Sequence, residues 1–200
     1  MIVIVDYKLG NLGSIKNMLN KIGIEAMISS KYEDVISATK IILPGVGSFD
    51  NGMKNLNDLN LVEALNQAVL LNKTPILGIC LGMQIMGKSS DEGNLKGLSW
   101  IDLNVKSFKD LKNFTGTIPV MGWNYVNANK ENPILNNNFS RFYFVHKYYF
   151  EQNKYQILNS DINGLSYCAA FQKENIFGVQ FHPEKSHKFG MKLLHKFCSI

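Results

Sequence analysis

In the first eighty residues, apolar runs too short for helices alternate with stretches whose apolar residues recur at helical spacing. Ile2 to Val5 form the first run; Ile15, Met18, Leu19 and Ile22 then fall at i, i+3, i+4 and i+7 behind Asn11, a residue suited to capping a helix. Ile24 to Ile28 and Ile41 to Leu43 are further strand-like runs, the latter ending in Pro44-Gly45-Val46-Gly47. Leu61, Leu65 and Val69 mark a helix face before the strand Pro75 to Ile79. A β-α-β-α-β order requires crossover connections, and crossovers place helices on both faces of a parallel sheet. The pattern predicts a three-layer α/β chain built on a mostly parallel open sheet.

The second half is richer in aromatics and turns. "GLSWIDLNV", "MGWNYVNA", "RFYFVHKYYF", "LSYCAAFQ" and "IFGVQFHPE" read as strands, some of them antiparallel, and "NANKENPILNNN" as a polar loop around Pro133. Ser186 is placed to cap a last helix that turns Phe189, Leu193, Leu194 and Phe197 inward. With no repeat and no linker, residues 1–200 are expected to form one domain.

Composition excludes several classes of function. A hydrophobic fraction of 46% with 18% charged residues is that of an ordinary globular chain, and no apolar run approaches the roughly 18 residues of a membrane span. The apolar start, MIVIVDY, has no basic lead and meets Asp6 at once, so it reads as a strand rather than a signal peptide. The net charge of +5 comes from scattered lysines, with Arg141 the lone arginine, which argues against a nucleic-acid surface. Cys80, Cys168 and Cys198 are odd in number and lack metal-ligand spacing. They imply a reducing, cytoplasmic setting with no disulfide framework, and nothing calls for a metal or cofactor.

The chemistry concentrates around Cys80, in Gly78-Ile79-Cys80-Leu81-Gly82. A nucleophile in a tight strand-to-helix turn is pushed outward and needs small neighbours, and G-x-C-x-G has the form of such an elbow. A helix beginning there adds a positive dipole end that favours thiolate. By itself the motif suits a buried structural thiol equally well. A thiolate nucleophile wants a histidine and a group to orient it. His182 is the best placed of four histidines, because Pro183 biases it toward an extended conformation from which residues 182 and 184 project to one side. Glu184 can then accept from one ring nitrogen and leave the other for the thiol. His146, among aromatics and without a nearby carboxylate, is expected to pack or hydrogen-bond; His187 and His195 belong to the final helix. Oxyanion donors are expected from Val46 and Gly47 in the turn after the third strand and from the N–H of Leu81.

Three motifs in order, "LPGVGSFD", "GICLGMQ" and "FHPEKS", resemble those of the class I glutamine amidotransferases. The resemblance implies a flavodoxin-like fold with additional antiparallel strands, and Cys80, His182 and Glu184 as a catalytic triad. Many members have His where this chain has Met83, which reads as packing beneath the elbow. "MGWN", "FYFVHKYY" and the opening "DYKLGN" are similar to the glutaminase subunits of imidazole glycerol phosphate synthases, a similarity covering essentially the whole chain. It implies hydrolysis of L-glutamine and delivery of ammonia to a (β/α)8 cyclase subunit in a heterodimer serving histidine biosynthesis. By the same resemblance Gly47, Gln84, Lys147 and Tyr148 bind substrate, while Asn11, Trp123 and Asn124 lie at the partner interface. Two positions depart from the family: Pro119-Val120-Met121 stands where Pro-His is frequent, and Lys147 where a small hydroxyl residue is common. "GLSWID" and "NLGSIKNML" also resemble a branch that supplies ammonia to sugar amidotransferases of surface polysaccharides. A non-catalytic module would be expected to lose a triad residue, and all three are present.

Overall fold

The computed structural model describes residues 1–112, 114–135 and 140–200. Its first half is β1 (Ile2–Val5), α1 (Leu12–Lys21), β2 (Ala26–Ser29), α2 (Tyr32–Ile36), β3 (Lys40–Gly45), α3 (Phe49–Asp58), α4 (Leu61–Asn66) and β4 (Ile76–Cys80). The short helix α5 (Leu81–Gln84) leaves β4 with no intervening residue. There follow β5 (Ser89–Ser90), β6 (Asn104–Ser107), β7 (Val120–Ala128), β8 (Ser140–His146), β9 (Tyr148–Tyr149), β10 (Gln156–Ile162), β11 (Leu165–Lys173), β12 (Ile176–Val179) and α6 (His187–Ser199).

Among the described residues the main sheet has nine strands, in the order β2-β1-β3-β4-β12-β11-β10-β7-β8. The first five run parallel, and the remaining pairings are antiparallel. The antiparallel strands therefore continue the parallel sheet and do not form an appendage beside it. Period-two alternation sends Ile2 and Ile4 to one face, where they join Ile15 and Leu19 of α1 and Leu194 and Phe197 of α6. Val3 and Val5 point to the other, against Met53, Leu56 and Leu65 of α3 and α4. Burying each such side chain is worth about 1.5–3 kcal/mol, so both helical layers are required to hold the sheet.

Several elements differ from the sequence expectation. Helix α3 has Phe49, Met53 and Leu56 buried at helical spacing, but Gly52 and three Asn weaken its local propensity; Gly52 is small because α5 packs there, near Leu81 and Ile85. Val69 belongs to a π-helical turn, Gln67–Leu71, that continues α4. Of "GLSWIDLNV" only the end enters a strand. Trp100 is buried in irregular chain, with its indole N–H donated to Asn66 Oδ1 at 2.8 Å. Strand β10 carries too many polar residues to announce itself. Part of the loop around Pro133, residues 136–139, lies outside the described residues.

Register is what builds the site. Gly45 on β3 pairs with Cys80 on β4, and Ile79 on β4 pairs with Val179 on β12. Three adjacent strands thus end at one level, at the carboxyl edge of the sheet where ligands of open α/β folds collect.

Candidate active site

Cys80 has φ 53° and ψ −108°, a left-handed backbone that costs a residue with a side chain of order 1–3 kcal/mol and that marks functional turns. The elbow tolerates nothing larger at its glycines. A Cβ on Gly82 would drive into the Leu43 carbonyl oxygen, and one on Gly78 would come within 2.6 Å of the Gly82 carbonyl oxygen. Met83 is buried below, against Gly178. Leu81 opens α5, so its N–H has no partner within the helix and is available to the site.

On the neighbouring strand end, the His182 N–H donates to the Tyr143 carbonyl at 2.8 Å, and the ring Nδ1–H donates to Glu184 Oε1 at 2.8 Å. Asn11 Nδ2 donates to the same oxygen at 2.9 Å. Ser186 Oγ donates to the His182 carbonyl at 2.6 Å and accepts from the Tyr143 N–H at 3.0 Å. Asn11 and Ser186 do stand at the N-cap positions of α1 and α6, yet neither side chain caps its helix; both are turned onto the His182–Glu184 segment. Burial opposes charge on the His182 ring, but the nearby Cys80 sulfur and the Glu184 carboxylate outweigh it and hold the ring above the ordinary imidazole range. Burial likewise works to raise Glu184, and the hydrogen bonds from His182 and Asn11 keep its carboxyl below the usual range. The arrangement favours a proton on His182. Its Nε2 is buried and makes no hydrogen bond among the described residues, and the Cys80 sulfur is close enough to raise the ring.

Cys80 and His182 open into a cleft of about 390 Å³ that is also lined by Val46, Gly47, Gln84, Glu92, Lys147 and Tyr148. Gly47 has φ +130°, accessible to glycine but strained for other residues. Gln84 donates through Nε2 to the Tyr148 carbonyl at 3.0 Å and to Gln180 Oε1 at 2.9 Å, and Gln180 Nε2 in turn reaches Cys80 Sγ at 3.6 Å. His146 lines the cleft with both ring nitrogens engaged: Nδ1–H donates to the Tyr148 carbonyl at 2.8 Å and Nε2 accepts from the Tyr167 hydroxyl at 3.4 Å. Full burial holds it down to about 4, so it is a neutral strut rather than a base. Glu92 accepts from the Phe49 N–H at 2.8 Å; burial raises its carboxyl, while that hydrogen bond and Lys147 pull the other way. Among the described residues no group of three or more His, Cys, Asp or Glu side chains is disposed to hold a metal, and no helix is long and apolar enough to cross a membrane.

A strained thiol on one strand end, a carboxylate-oriented histidine on the next and a glycine turn on the third are the parts needed for acyl transfer through a thioester. The family profile for class I glutamine amidotransferases matches residues 3–199. The chain belongs to the class I glutamine amidotransferases. Among similar proteins, an "imidazole glycerol phosphate synthase subunit HisH 2" of Methanococcus maripaludis is 52% identical, with 98% of each chain covered. One of the same name from Pseudomonas aeruginosa is 45% identical over the whole of both chains. A solved glutamine amidotransferase superposes with a TM-score of 0.77 at 17% identity, covering 100% of this chain and 98% of the other. The structure of PurLQS from Thermotoga maritima gives 0.74 at 18%, covering 99% and 97%.

In this amidotransferase Trp123 is a surface residue, 42% exposed, with Met121 and Tyr125 on the same strand face at 63% and 57%. Its ring stacks on His187 at 5.7 Å and lies 5.3 Å beneath the Arg141 guanidinium. Asn124 donates from Nδ2 to the Asp161 carbonyl at 2.9 Å, away from the cleft. Sequence reasoning missed Gln180 and Glu92. Period two along "QFH" puts 180 and 182 on one face and was a usable signal; Glu92 sits in a polar loop whose pattern signals nothing.

Proposed function

We propose that residues 1–200 act as a single glutaminase domain, the ammonia-producing subunit of an imidazole glycerol phosphate synthase, working in the cytoplasm as a heterodimer with a (β/α)8 cyclase. The observation that carries this reading is the convergence of Cys80 on its strained elbow, at the cleft, with His182 and its partner Glu184 just beyond the end of the adjacent strand. Glu92, at the same cleft, suits the α-ammonium of an amino-acid substrate, and the backbone at Lys147 and Tyr148 its carboxylate end. The Cys80 thiolate attacks the side-chain carbonyl of L-glutamine, and the N–H groups of Val46, Gly47 and Leu81 receive the oxyanion. The proton held on His182 goes to the departing nitrogen, which leaves as ammonia and a glutamyl thioester behind. His182, now neutral, takes a proton from water as it adds to the thioester, and collapse releases glutamate and the thiolate. Trp123 and Met121 supply the exposed apolar face a partner would cover.

The segments "GLSWID" and "NLGSIKNML" favour a second reading, in which the same half-reaction feeds a sugar amidotransferase. Both are tested by measuring ammonia release from L-glutamine for the chain alone and with either partner. The expected result is a nearly idle free chain, stimulation by the cyclase with formation of its product, and no release by Cys80→Ala. Stimulated release by Cys80→Ala would overturn the mechanism; stimulation by the sugar enzyme alone would move the assignment to the second reading.

A further inference from the structure

The loop between β1 and α1 touches both the glycine turn and the triad carboxylate. Leu9 lies against Gly47, Gly10 against Pro44 and Gly45, and Asn11 binds Glu184. Beneath them runs the side chain of Tyr7, fully buried in the apolar cluster with Phe49, Leu81 and Met83, its backbone carbonyl held by Asn55 Nδ2 at 2.9 Å. Its hydroxyl ends where a Cβ on Gly45 would stand, a point also 2.8 Å from the Gly82 nitrogen and from Leu81 Cβ. That hydroxyl makes no hydrogen bond among the described residues. Burial, and then the proximity of Cys80, raise it well above the ordinary phenol range, so it remains a proton donor. Buried hydroxyls without a partner are costly and rare, and phenylalanine would fill the same space without the cost.

We propose that Tyr7 is a positioning residue for the oxyanion turn: its hydroxyl donates to a carbonyl of the Gly45-Val46-Gly47 segment when that segment presents its N–H groups to the substrate. The peptide unit is a rigid plane whose N–H and C=O point in opposite directions, so turning an N–H toward the cleft turns a carbonyl inward. The Tyr7 hydroxyl lies on the side of Gly45 where a Cβ would stand, next to this segment. Glycines on both sides of Val46 give the segment the freedom to turn, and the missing side chain of Gly45 makes room for the hydroxyl. The hydrogen bond then favours the turn that presents its N–H groups to the substrate.

The proposal rests on the glutaminase reading and is tested with Tyr7→Phe in complex with the partner. The expected result is a fall in kcat of about tenfold, the worth of roughly one net hydrogen bond, with KM for glutamine within about twofold of wild type. Alkylation of Cys80 by iodoacetamide should be unchanged and Tm equal or higher, since an unpaired buried hydroxyl has been removed. Wild-type kcat in the variant would overturn the proposal, and so would a fall in kcat accompanied by lower Tm or slowed alkylation, which would make Tyr7 a packing residue. If the wild-type chain releases no ammonia with any partner, the failure lies in the glutaminase reading, and this proposal falls with it.

Discussion

Replacing Asn11 by Asp separates two roles that the sequence places on one residue. As a helix cap Asp is as good as Asn, and its charge near the start of α1 is worth up to about 1 kcal/mol, so a capping role predicts a neutral or stabilised variant. The structure predicts the opposite. Asn11 Nδ2 donates to Glu184 Oε1 at 2.9 Å, and a hydrogen bond to a charged group is worth about 1.5–3 kcal/mol. Asp supplies an acceptor there, with a negative charge roughly 3 Å from a buried carboxylate. Two ionised groups at that separation would repel by roughly 5 kcal/mol at an effective dielectric constant of about 20, so the pair keeps a proton instead. The folded pair then titrates above the unfolded carboxyls, which lie near pH 4. Its penalty is nearly absent below about pH 4, grows as pH rises and is complete once the pair has lost its second proton. Urea unfolding at pH 5 and pH 8 should show a loss of about 3 kcal/mol at the higher pH that shrinks at the lower, and partner-stimulated kcat should fall at least about tenfold. A variant within about 0.5 kcal/mol of wild type at both pH values and with full turnover would refute the assignment of Asn11 to Glu184.

Gly82→Ala should displace the elbow from the Leu43 carbonyl at a cost of about 3 kcal/mol or more, visible as a lower Tm and a loss of thioester formation. Glu92→Gln should raise KM for glutamine about tenfold with kcat little changed, and the gap from wild type should narrow as pH falls and the burial-raised Glu92 carboxyl takes a proton; an unchanged KM removes Glu92 from substrate binding. His146 is held down to about 4 from an ordinary 6.5, so its contribution to stability is complete above pH 6.5 and is lost as pH falls toward 4, by about 3 kcal/mol in all. His146→Gln should flatten that slope in urea titrations, and an unaltered slope would show that the ring is not buried neutral.

Most of the parallel half was legible because its strands are buried on both faces and its helices on one, which leaves a period in the sequence. The elbow was legible for a related reason: Gly78 and Gly82 are demanded by backbone contacts close in sequence. What pattern could not reveal was the use of polar side chains across the fold. Asn11 and Ser186 announce helix starts correctly, yet their side chains serve His182 and Glu184, a choice fixed only when α1, β8 and β12 meet. Glu92 and the thin signals of β10 and α3 fall in the same class, since long-range pairing decides them and local propensity does not. The sequence offered Trp123 as an interface residue by resemblance alone, and its exposure on the outer face of β7 could be read only from the fold.

The strand that leads into His182 is the last of the nine to be synthesised, yet it lies in the middle of the sheet, between β4 and β11. Without β12, β4 and β11 would each keep an unpaired edge, and such an edge is a template for pairing with another chain. A damaged chain lacking this strand would lose its histidine and keep two unpaired edges together, so it would be inactive and open to pairing with another chain.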